Sequence, residues 1–389
     1  MNQELREMCD RVQRLALIAG GILLVAAFAD GVRVPEQFFR SYLLGFIFWI
    51  GFPLGCAAFL MIHYLTGGDW GLPIKRPLEA GVRTLPLMIV LVVPLLFGLT
   101  HLFSWTDPQV IATDPALKLK SIYLNIPFFL VRELIYFSVW SWTAYRLVHW
   151  SAELDRTGDP AIQARLENMS GPGLLLYGLT ITFFSIDWVM SLEPHWFSTI
   201  FGMIFMVIQI QVAIAFVIVV ARLLGGYAPV STTMSPLRFN DLGNLLLTFV
   251  MLWAYLQFSQ FLIIWAGDLI EEIPWYMTRA ERGWSTIALI LTVFFFAVPF
   301  AVLLVRSMKR RIPVLAYICM AMMFFNFVNI YWMIVPSFLP NGPRLYALDF
   351  LLPVGFGCIW VSFYVSKLKS YPLLPERDPR FVGELSRAS

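Results

Sequence analysis

Asp187, Glu193 and His195 fall within nine positions of one another in "DWVMSLEPHWFSTIFG" (187–202), between two long apolar runs and bracketed by Trp188 and Trp196. Carboxylates and imidazoles are the groups that pass protons or hydrogen-bond the oxygens of a small ligand. Part of the pattern is the chemistry of a helix start. Ser191 or Glu193 can cap a new helix, Pro194 suits its first position, and the tryptophans suit a membrane–water interface. Asp187 is left over, because it lies about a helical turn inside the preceding apolar run. Arg132 and Glu133 are likewise embedded, in "NIPFFLVRELIYFSVW". A charge in hydrocarbon marks by default a function or a buried pair. Neighbouring residues diverge by about 100° around a helix, so Arg132 and Glu133 need separate partners. Arg132 with Asp187 is the simplest cross-helix pair. Glu133 remains as a proton carrier, with Tyr136 one turn on along the same face. The four residues are therefore candidates for a proton relay, or for a neutralised cluster that only fixes helix packing.

His101 and His195 are placed at helix ends on one side, where they could approach each other near Asp187. Such a group could serve a quinone headgroup, whose oxygens need a donor or acceptor and a proton path; two capping histidines would look the same. His63 and His149 fall at the opposite helix ends, and no two histidines sit deep at matched depth, which argues against an intramembrane haem. Cys9, Cys56, Cys319 and Cys358 are far apart, three of them within apolar runs. That excludes the local spacings of zinc sites, iron–sulfur clusters and covalent haem attachment.

The elements that must position these groups follow from the composition. With 389 residues, 59% hydrophobic and 14% charged, the chain has about half the charge of a soluble domain and reads as an all-α integral membrane protein. Runs long enough to span lie near 12–29, 41–65, 84–103, 122–148, 171–190, 196–224, 242–266, 284–306, 312–335 and 346–368. The first lacks a cleavage signature and is taken as a retained span. Ten spans put both termini on one side, and that side with its loops holds twenty of the 28 Lys and Arg against seven opposite. The bias predicts cytoplasmic termini and places 187–202 outside. Gly67-Gly68 and Gly225-Gly226 recur 158 residues apart, each after a span and before a Pro-containing loop. This suggests a parallel repeat of two four-helix bundles, helices 2–5 and 6–9, with two flanking helices. The expected divisions are 1–40 (N-terminal segment and helix 1), 41–190 (first bundle), 191–335 (second bundle) and 336–389 (helix 10 and a cytoplasmic tail). The second bundle offers amides rather than charges: Gln209, Gln211, Gln257, Gln260, Asn326 and Asn329. These are expected to make interhelical hydrogen bonds.

The stretch "DWVMSLEPHWFSTIFG", following a span that ends "LTITFFSI", resembles a membrane subunit of the bacterial alternative complex III, a quinol:cytochrome c oxidoreductase. The closer likeness is to its F subunit, the smaller of two related ten-helix subunits of the polysulfide-reductase-like (NrfD-like) group. Asp187, Ser191, Leu192, Glu193, Pro194, His195 and Trp196 carry the motif; the rest of the likeness is layout. The resemblance implies a two-bundle fold with flanking helices in the bacterial inner membrane and a role in quinol oxidation by the respiratory chain. This subunit would carry no cofactor of its own and no catalytic residue or metal. Haem c and iron–sulfur clusters belong to partner subunits: an iron–sulfur subunit, multihaem and monohaem cytochromes c, and the related ten-helix subunit, with menaquinone or ubiquinone in the complex. The lipid bilayer surrounds it, and no nucleic-acid partner is expected. Proton movement through Arg132, Glu133 and Asp187 is one expected role. A quinone pocket near His101, Asp187 and His195 is another. A stand-alone secondary transporter is the reading from a different class. Transporters usually show inverted repeats around a midplane site, whereas this repeat is parallel.

Overall fold

The computed structural model describes residues 3–227 and 230–374, which are mostly helical with no strand among them. Lipid offers no partner for backbone N–H and C=O groups, so apolar runs of this length close their hydrogen bonds internally as helices. The main helices are α1 (Gln3–Gly31), α2 (Pro35–Thr66), α3 (Lys75–Val82), α4 (Leu85–Phe97), α5 (Ile126–Thr157), α6 (Pro160–Trp188) and α7 (Phe201–Leu224). They continue with α8 (Pro236–Gly267), α9 (Ile273–Ala280), α10 (Trp284–Ile290), α11 (Val298–Leu304), α12 (Ile312–Ile334) and α13 (Leu348–Lys369). A π-helical stretch, Leu291–Ala297, joins α10 to α11 into one rod. Among the described residues, nine helical segments are long and apolar enough to cross a membrane, the character of a multi-pass membrane protein. Helix α5 matches the expected span at 122–148 and has 32 residues, but it is too polar to count among them.

Two boundaries differ from expectation in ways that matter. The span expected at 84–103 is preceded by α3, so Lys75, Arg76 and Glu79 are buried helical residues rather than loop residues. Helix α7 starts at Phe201, not near 196, and its N-cap Ile200 contributes no side-chain bond. Ser191, Glu193 and Pro194 therefore do not cap or open that helix. Ser191 instead donates to the Asp187 carbonyl, finishing α6, and residues 193–200 run as a loop. Arg377, Arg380 and Arg387 of the expected cytoplasmic tail lie outside the described residues.

Helices α2 and α7 pack on each other and are the most enclosed of the spans. Helix α2 also meets α3, α4, α6 and α13; α7 meets α6, α8 and α12. At the α2–α7 crossing a Cβ on Gly55 would lie 2.0 Å from the Gln209 carbonyl oxygen. Only glycine lets the backbones approach that closely. Helix α1 packs chiefly along α13, where Gly20 sits against Ile359 and Gly355 against Leu24. Lys369 at the end of α13 pairs with Asp10 near the start of α1. Leu15, Ile18, Ile22 and Phe28 on the free face of α1 are exposed, as a lipid-facing surface requires.

Candidate functional site

The helical hairpin α5–α6 sets the geometry. Asn125 caps α5 by accepting from the Phe128 amide, and Gly158 ends it in the left-handed conformation at φ 68°. Asp159 then caps α6, with Pro160 at its first position. Arg132 stands 26 residues before Gly158 and Asp187 28 residues after Asp159, so the two return to the same height. Consecutive residues then pair across the hairpin: Arg132 with Asp187, and Glu133 with Trp188.

Asp187 is fully buried. Arg132 clasps it with two parallel bonds, Nε to Oδ2 at 2.9 Å and Nη2 to Oδ1 at 2.8 Å. This is the strong bidentate arrangement of a guanidinium on a carboxylate. Tyr136 adds its hydroxyl to Oδ2 at 2.8 Å, and Arg132 Nη1 reaches the Tyr123 carbonyl at 2.9 Å. The guanidinium also lies over the Tyr123 ring at 3.8 Å. Tyr136 is one turn from Arg132 and shares its stripe, so it meets Asp187 rather than standing beside Glu133 as expected. Glu133, also buried, accepts from Trp188 Nε1 at 2.8 Å through Oε1, while Oε2 has no protein partner. The expected cross-helix pair is therefore present, and next to it stands a carboxyl with one oxygen free.

The quinone-site residues do not come together. His101 stacks on Phe39 at 5.3 Å. His195 is exposed and bonds Asp114 at 2.8 Å, while Asp187 is enclosed by Arg132 and Tyr136. Partial desolvation would raise the Asp114 carboxyl. The Leu117 and Ala116 amides and the His195 ring outweigh it and hold the group below the usual carboxylate range. The remainder of "SLEPHW" works as a connector. Lys120 donates to the Pro194 carbonyl at 2.5 Å, and Trp196 stacks on Trp275 at 4.7 Å. Glu193 Oε1 accepts from Arg279 at 3.0 Å and from Ser337 at 2.7 Å. Burial pushes the Arg279 guanidinium down to about 10, with Glu193 drawing it back up, so it stays charged at neutral pH. Its other N–H groups go to the carbonyls of Trp275, Trp332 and Met333. Replacing Glu193 with alanine keeps those three bonds but removes the charged one. It should lower stability by about 1–2 kcal/mol in thermal unfolding of the purified chain.

Two further buried ionic clusters escaped sequence reasoning. Arg40 and Ser41 on α2 hold Asp349 on α13, at 3.3 and 2.5 Å. Glu79 on α3, fully buried, binds Arg76 and Ser151, and Arg76 also reaches Asp155. Asp349 had a signal, an acid three residues into the last apolar run. Glu79 was hidden among the bases of what looked like a loop. The amides behave unevenly. Gln209 accepts from Tyr177 and Asn326 donates to the Ile208 carbonyl, both between helices. Gln211, also buried, bonds nothing in the protein. No group of three His, Cys, Asp or Glu among the described residues could hold a metal ion. Compared with protein-family models and with curated proteins, the sequence matches none.

Proposed function

We propose that the chain is a cofactor-free, ten-helix subunit of a bacterial inner-membrane quinol:cytochrome c oxidoreductase of the alternative complex III type. Its two four-helix bundles serve as a scaffold, with both termini cytoplasmic, and Arg132, Glu133 and Asp187 form a half-channel for protons. The observation that carries the reading is Glu133. It is a buried carboxyl with one oxygen unpartnered, beside a carboxylate already satisfied by arginine and tyrosine. A membrane protein holds such a group at an energetic penalty, and its usual use is to accept and release protons. The span count has support as well. Asp10 and Lys369 meet near the two ends of the described chain, which favours an even number of crossings. Helix α5, about 48 Å long, supplies the tenth.

The partners in this reading are a related ten-helix subunit, an iron–sulfur subunit, and multihaem and monohaem cytochromes c. They hold the haem c and the clusters, and menaquinone or ubiquinone is the substrate of the complex. A mild-detergent pull-down of the tagged chain, with a reduced-minus-oxidised spectrum, should recover c-type haem and iron–sulfur proteins. A lone, colourless chain would sink the respiratory reading. Within the complex, Glu133→Gln should reduce proton uptake severalfold while leaving quinol-driven cytochrome reduction near normal. Equal loss of both, or of neither, would remove the relay.

A further inference from the structure

A cavity of about 720 Å³ runs along α13 from Asp349 to Leu368 and is walled almost wholly by hydrocarbon and aromatic side chains. That stretch is about 28 Å long, close to the thickness of a bilayer core. Its second wall is the start of α1, through Met8, Val12 and Ala16, and its third is α7, through Val220 and Leu224. The floor is an aromatic cluster in which Trp360 meets Phe216 at 5.1 Å and Tyr364 at 5.2 Å. Neighbouring Leu223 and Phe324 are more than half exposed, so the cavity opens on the lipid-facing surface. A membrane helix about 10 Å wide and of this length would need about 2,000 Å³, so the space suits a flexible chain.

The two ends of the groove differ. At the Asp349 end the acid is already engaged by Arg40 and Ser41. At the Met8 end two cations are sequence neighbours of lining residues, Arg11 beside Val12 on α1 and Arg222 beside Leu223 on α7. Both are exposed, and neither makes an ion pair among the described residues. Basic groups between membrane helices at headgroup depth bind anionic lipid heads. We propose that the groove is a specific site for an anionic phospholipid, its acyl chain lying against Trp360 and Phe216 and its phosphate meeting Arg11 and Arg222. The lipid would lie between α1 and α7, beside the contact of the Tyr227 hydroxyl with Met8 Sδ at 3.5 Å, and so help fasten α1 to the body of the protein. The site is independent of the proton path and stands or falls separately.

Native mass spectrometry of the purified chain, taken from nanodiscs holding equal phosphatidylglycerol and phosphatidylcholine, tests this. The expected result is one retained phosphatidylglycerol in marked excess over phosphatidylcholine. Arg11→Gln with Arg222→Gln, both at exposed positions, should cut that preference at least about tenfold. Val220→Trp, filling the groove, should abolish retention of either lipid. Equal retention of the two lipids, or a preference untouched by the arginine pair, would overturn the proposal. So would displacement of the phospholipid by an added isoprenoid quinone, which would assign the groove to a neutral tail instead.

Discussion

Arg132→Met is expected to destabilise the chain by about 3–5 kcal/mol. The arginine supplies two bonds and the counter-charge to a carboxylate that is fully buried, and the substitution leaves Asp187 with neutral tyrosine hydroxyls only. A buried ion pair adds little over a well-packed apolar pair, but half of one is expensive, because the remaining charge keeps its desolvation penalty without the compensating field. The double variant Arg132→Met, Asp187→Leu should therefore recover most of the loss. Unfolding of the purified protein in detergent, followed for both single variants and the double, gives the coupling between the two positions. A double variant as unstable as the sum of the singles would mean that the pair is not what joins α5 to α6 at this height.

Gly55→Leu is the second large effect. The Gln209 carbonyl oxygen, 2.0 Å from the position of a Cβ, belongs to the backbone of α7 and cannot swing aside, and the Ala213 methyl is 2.9 Å away. Any side chain there drives α2 from α7, the two helices on which most of the other spans lean. Overpacking of this kind costs about 3 kcal/mol, and more where rigid backbone must move. Reduced yield of folded protein and a lowered midpoint should appear already with Gly55→Ala. Gly226→Ala, where nothing lies within reach of the new Cβ, should be close to silent and serves as the control.

Apolar runs were the legible part of the fold. Each expected span has a helix over it, since twenty greasy residues in lipid have only one common solution. Helix ends were less legible. "SLEPHW" carries the residue types of a cap, yet Ser191 finishes the helix before it and Glu193 answers an arginine 86 residues away. Local residue type does not distinguish a cap from a tertiary contact. The Arg132–Asp187 pair could be anticipated because both charges lie inside long apolar runs. Arg76 and Glu79 could not, because in sequence they sit among other charges and only the folding of α3 into the interior strips them of water. The histidines illustrate a third limit. Two residues that the sequence assigns to the same side need not face each other: His101 stacks on Phe39, and His195, in the loop before α7, bonds Asp114.

The packing of α1 along α13 has a consequence for biogenesis. Helix α1, made before the other described helices, has its main partner in the last of them, more than three hundred residues later. Until then it must wait in the bilayer, held by little but lipid and by its contact with α2. Docking of α13 onto it, sealed by Lys369 against Asp10, is thus the step that gives α1 its main protein contact, and chains truncated before α13 should accumulate with α1 accessible to proteases and chaperones.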